Sequence, residues 1–176
     1  IDFNQMLEMS DQAFYELVLR MSVDVIRQHG IDSDLLRQVE TAYTGVIAPA
    51  SAFEIPLRFA QAMSVIGEQL PQRVVFLLDE VDEPVAGIDG RVFLNLRALK
   101  DRHREELTYI TATNRLLNHI RPDPDVLEFA ELFWHQILYI SLLQEDETRR
   151  FIERFAQEEG VTFSERKPQP PTQAFG

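Results

Sequence analysis

The chain has 176 residues, enough for one domain whose core is stable unaided. Apolar residues make up 45% and charged residues 26%, as in a globular protein, and 17 basic against 29 acidic side chains leave a net charge of −12. That balance opposes non-specific attachment to phosphate backbones or anionic membranes, and zero cysteines exclude disulfides, thiolate catalysis and Cys-ligated metal.

The lack of cysteines fits a cytoplasmic setting, and no apolar run approaches the roughly 20 residues that span a bilayer, so no membrane partner is expected. The chain opens without an initiator Met, inside the apparent tail of a strand, Ile1-Asp2-Phe3, and reads as cut from something longer. From Ser10 the pattern turns helical. Phe14, Leu17, Val18, Met21 and Val25 form one apolar stripe, and Gly30 suits the stop. Residues 32–45 carry a weaker helical pattern through Leu35, Leu36, Val39 and Tyr43, and Gly45 to Ser51 read as a loop. A further amphipathic helix offers Leu57, Phe59, Ala60, Met63 and Ile66 for burial.

Leu70-Pro71-Gln72 turns the chain into Arg73-Val74-Val75-Phe76-Leu77-Leu78-Asp79-Glu80. Five consecutive apolar residues predict a strand buried on both faces, ending abruptly in two acids. After a loop at 84–90 a helix places Val92, Phe93, Leu96 and Leu99 on one face. A second strand, 107–113, ends at Asn114-Arg115. Asp123-Pro124 is an N-cap followed by proline at the first helical position, opening a short helix. Phe133 and Trp134 are expected in the core, and Gln136 to Leu142 reads as another strand. Glu145, Asp146 and Glu147 begin a last helix with Phe151, Ile152, Phe155 and Ala156 inward. From Lys167 the chain is Pro- and Gln-rich and reads as a tail or linker.

If the two strands are parallel neighbours, Asp79, Glu80, Thr113 and Asn114 gather at one end of the sheet. There a carboxylate pair suits a cation and a water, and an amide suits a phosphate oxygen. Asn114 also suits capping or turning the chain, and Asp79-Glu80 suits a solvated strand end. The four histidines are too scattered for a metal site, and no nucleophile motif of the Gly-x-Ser-x-Gly kind is present.

In this setting Val74-Val75-Phe76-Leu77-Leu78-Asp79-Glu80 resembles the Walker B strand of the AAA+ and STAND class of P-loop ATPases, in particular bacterial members close to the Orc/Cdc6-like group. Ile110-Thr111-Ala112-Thr113-Asn114 resembles their sensor 1 strand. Glu131 to Phe163 is similar to their last core strand and helix, and Ile1-Asp2-Phe3 with the helix at 11–29 to the strand and helix just after the phosphate loop.

The resemblance covers 1–163, with 164–176 left as the tail. It implies an α/β three-layer sandwich with a mainly parallel sheet, P-loop NTPase-like, missing the first strand and phosphate loop. It further implies an ATP-hydrolysing switch in which Asp79 serves Mg²⁺ as metal residue, Glu80 is catalytic, and Asn114 contacts the nucleotide. Arg115 and Arg121 are weak arginine-finger candidates.

The departure is that no Gly-x-x-x-x-Gly-Lys-Ser/Thr occurs anywhere. ATP and Mg²⁺ are therefore expected in a longer parent protein, with none bound to this fragment. Whether the chain is itself an enzyme is left open. The alternative is a non-catalytic regulatory or protein-interaction domain that retains the ATPase sheet. Protein partners are expected, with nucleic acid bound only through domains outside this chain. Lacking the family's central strand, the sheet is expected to close by 136–141 pairing with 107–113, to self-associate through open edges, or to be completed by a strand of the parent.

Overall fold

The computed structural model describes residues 1–161. The chain is mixed α/β and mostly helical (61%), with one two-stranded parallel sheet. It divides into two compact units, residues 1–136 and 137 onward. The tail expected from residue 164 lies outside the described residues.

The first unit begins with a 3-10 turn, Phe3–Gln5, and then α1, Asp11–Gln28. Ser10 caps α1 by accepting the Ala13 N–H at 3.2 Å, and Gly30 ends it at φ +59, a conformation that costs glycine nothing. Helix α2 runs Ser33–Ile47 behind an Asp32 cap that accepts from the Asp34 and Leu35 amides. The weak pattern at 32–45 is thus a full helix, and Gly45, expected in a loop, lies within it. Helix α3, Glu54–Gln69, has no side-chain cap on its first residue; Glu54 instead accepts the Ala50 N–H at 2.9 Å and holds Arg58 one turn on.

Strand β1 is Val74–Leu78 and β2 is Leu107–Thr111, paired in parallel with Val74 opposite Leu107 and Leu78 opposite Thr111. The crossover contains a short helix, α4 (Asp82–Gly87), where a loop was expected, and α5 (Gly90–Arg102), capped by Asp89 onto the Arg91 N–H. Ile1 and Phe3 add a parallel stub to β1. The Asp79 N–H donates to the Ile1 carbonyl at 2.9 Å, and the Phe3 N–H to the Asp79 carbonyl at 3.1 Å. After β2 come α6 (Leu117–Ile120) and α7 (Pro124–Ala130), the latter capped by Asp123 onto Val126 as the Asp-Pro pair predicts.

One aromatic chain ties these elements together. Phe3 stacks on Phe14 at 4.8 Å; Phe14 meets Phe93 at 5.8 Å; Phe93 meets Phe129 at 5.7 Å; Phe129 meets Tyr109, and Tyr109 meets Phe76. Each fully buried ring contributes roughly 1.5–3 kcal/mol of burial free energy, and Phe14, Phe93 and Phe129 are all at 0% exposure.

Within the described residues of the first unit the sheet is covered on one face only, which corrects the expectation of a doubly buried strand. Phe76, Leu78, Leu107 and Tyr109 face the helices and are buried, whereas Val75, Leu77 and Ile110 are about half exposed. Five apolar residues in a row do not distinguish the two cases, because strand alternation sends every second one to the other face.

The second unit differs from expectation as well. Residues 137–143 form no strand, and Leu138 and Ile140 are almost fully exposed. A strand exists only by pairing, and among the described residues β2 pairs with β1 alone. The pairing of 136–141 with 107–113 is therefore not made. Helix α8, Glu145–Glu158, forms as the acidic start predicts, with a capping box between Gln144 and Glu147. Its Phe151, Ile152 and Phe155 are exposed rather than inward, and so is Trp134, in the first unit.

Candidate functional site

The ends of β1 and β2 converge. The Ala112 N–H donates to the Leu78 carbonyl at 2.8 Å, which carries the pairing one residue beyond Thr111. Past that point β1 turns sharply. The Asp79 Oδ1 accepts the Glu80 N–H at 3.1 Å, and Glu80 adopts φ +57, the one positive φ at a non-glycine among the described residues. That conformation costs an L-residue roughly 1–2 kcal/mol, so the surroundings must impose it. Val81, just after, is fully buried in the core and fixes the end of the turn.

Asp82, half-buried at the first position of α4, then reaches across to the other strand. Its two carboxylate oxygens accept the Asn114 N–H at 3.0 and 3.2 Å. The predicted residues Asp79, Glu80 and Asn114 are thus brought to one end of the sheet, all exposed, with Asp82 as the strap between the two strand ends. Thr113 lies beside them and is also exposed.

Three acidic residues of this neighbourhood, Asp2, Asp82 and Glu83, were not singled out from sequence. Asp82 carried a signal, since it lies three residues after Asp79 on the turn that leaves the strand. Asp2 carried none; it comes alongside Asp79 only through the stub's pairing with β1. The edge therefore bears Asp2, Asp79, Glu80, Asp82 and Glu83, with Arg115 following Asn114. Such a concentration of carboxylates favours a cation. Among the described residues no group of three or more His, Asp or Glu is arranged as a metal cage. Of the two arginine-finger candidates, Arg121 is committed internally, donating to the Ile88 carbonyl and pairing with Asp123; Arg115 is exposed.

The histidines remain apart. His103 is buried, with Nε2 3.2 Å from the Ser64 hydroxyl, and His29, His119 and His135 are exposed. No helix among the described residues is long and apolar enough to cross a membrane. A scan against protein-family models, a search of curated proteins and a search of solved structures each returned no match.

Proposed function

We propose that the chain is part of an ATP-binding and ATP-hydrolysing switch module of the AAA+/STAND type, built on a P-loop-like three-layer fold of which the present sheet is one portion. The observation that carries this reading is the convergence of Asp79-Glu80 and Asn114 at the C-terminal ends of two adjacent parallel strands. Open α/β sheets bind ligands at that edge. The imposed positive φ at Glu80 adds to it, because backbone strain clusters where geometry serves a site.

The residues suit magnesium held in the manner of nucleotide sites, where one or two carboxylates and the substrate phosphates share the ion. Asp79 would be the holding carboxylate: one of its oxygens is engaged by the Glu80 N–H, and the other accepts no hydrogen bond among the described residues. Bound magnesium would supply charge neutralisation for the phosphates. Glu80 would accept the proton of an attacking water, and the Asn114 amide would orient that water or donate to a phosphate oxygen. Asp82, holding the Asn114 backbone, is a positioning residue.

The non-catalytic reading is favoured by one observation, the absence of a Gly-x-x-x-x-Gly-Lys-Ser/Thr motif from the 176 residues. Calorimetry with Mg·ATP separates the two readings. The 176-residue chain is expected to show no appreciable binding, since most donors to a triphosphate come from the phosphate loop. A chain extended upstream of Ile1 to include such a loop is expected to bind, with the magnesium dependence weakened by Asp79→Asn. Micromolar binding by the 176-residue chain would mean that the site is misplaced; no loop upstream, or no binding by the extended chain, would favour the interaction domain.

A further inference from the structure

Away from the strand ends, a groove of about 1000 Å³ opens within the first unit. It is lined by the start of α1, the first turns of α3 and one face of α5 along its length, through positions 91, 95, 98, 99 and 102. Its floor includes Ile55, Val92 and Leu99, all buried, and its rim carries Phe53 and Leu57, which are 84% and 69% exposed, together with Met9. Leu57 has the periodicity of a core residue yet faces water. Large apolar side chains exposed around an apolar trough mark an interaction surface rather than a solvated one.

The groove also has a charge polarity. At the end where α1 and α5 begin stand Asp11 and Asp89, linked by the Asp89 N–H donating to Asp11 Oδ1 at 2.9 Å. Arg91 lies at the same end, its guanidinium directed at Asp125 of α7, 3.9 Å away. At the other end stands Arg102, the last residue of α5. Between them the buried Tyr15 hydroxyl accepts from the Asn95 amide at 2.9 Å. Burial pushes the Tyr15 pKa up to about 12; the Asn95 hydrogen bond pulls the other way, and the charges of Asp11 and Asp89 add to the rise. At that end two carboxylates, Asp11 and Asp89, thus stand with one cation, Arg91, which is directed at Asp125.

We propose that this groove docks one amphipathic α-helix of a partner protein, lying antiparallel to α5. Its apolar stripe would cover Leu57, Phe53 and the floor. Its acidic first turn would meet Arg102, and its basic last turn would meet Asp11 and Asp89. That polarity is the one a helix prefers for itself, with acids at its N-terminus and bases at its C-terminus, and it sets the two helix dipoles antiparallel. Positions 91 to 102 span roughly 17 Å at 1.5 Å per residue, the length of a three-turn helix. Recognition would follow the helix-in-groove mode, with anchors at i, i+3, i+4 and i+7. The proposal is independent of the ATPase reading.

The test uses the whole chain and two fluorescently labelled 14-residue helical peptides sharing one Leu stripe, one with Glu in the first turn and Lys in the last, the other with these charges exchanged. Anisotropy titration should give saturable binding of the first peptide, at least about fivefold tighter than the second, an advantage lost in high salt. Leu57→Ser, at an exposed position that leaves the fold intact, should weaken it by about tenfold. Equal binding of the two peptides, no saturation up to about 1 mM, or indifference to Leu57→Ser would each overturn the proposal. So would concentration-dependent self-association abolished by Leu57→Ser, which would make the occupant a second copy.

Discussion

Asp82→Ala tests whether the two strand ends are held together as described. The carboxylate accepts one backbone N–H with both oxygens, at 3.0 and 3.2 Å, and Asn114 is exposed. A hydrogen bond to a charged group contributes roughly 1.5–3 kcal/mol; solvent around Asn114 places this one at or below the low end, about 1–1.5 kcal/mol. Because 1.4 kcal/mol is a factor of ten, Asp82→Ala should speed hydrogen exchange of the Asn114 amide about tenfold. Asp82→Asn keeps an acceptor oxygen and should lie between. The β1 amides that bond across to β2, such as Val74 N–H to the Glu106 carbonyl, should be unaffected in both variants. Native-state exchange followed by NMR reads all of this in one experiment. An Asn114 amide that exchanges equally fast in wild type and Asp82→Ala would refute the strap, and with it the claim that Asn114 is positioned rather than merely nearby.

Tyr109 predicts a substitution that does not destabilise. Its hydroxyl is buried without a hydrogen-bond partner among the described residues, a group that costs roughly 1–3 kcal/mol when left unsatisfied, so Tyr109→Phe should leave the denaturant midpoint unchanged or raise it; a large drop would show an unrecognised partner. Tyr15 predicts a loss of stability in alkali. Its folded pKa is raised to about 12 against an ordinary value of 10.0, so its contribution is full below pH 10 and fades as pH rises from 10 to about 12. Thermal unfolding across that range should show a fall that is shallower in Tyr15→Phe, and equal slopes would contradict the assignment.

The helical part of the fold was legible because its signals are local. Ser10 and Asp123 each cap the helix their position announces, and Gly30 stops α1 in the left-handed conformation. The acidic and amide strand ends were legible for the same reason: each strand's last residues follow its apolar run directly.

What could not be read was anything set by a partner distant in sequence. The run at 136–142 has strand composition and no strand beside it, so it stays irregular. Leu57, Trp134 and Phe151 are apolar at core-like spacing, yet periodicity names a face without saying what covers it. Asp2 joins the neighbourhood of Asp79 only through backbone pairing across 77 positions of chain, and nothing local to Asp2 announces it.

The central claim is that the strand-end cluster serves nucleotide hydrolysis, and Glu80→Gln addresses it most directly. The substitution keeps shape and hydrogen bonding while removing the proton acceptor. In a chain extended to carry a phosphate loop, steady-state ATP turnover should fall by on the order of 10²–10⁴, with Mg·ATP affinity kept in a parallel titration. Turnover unchanged in Glu80→Gln would contradict the account.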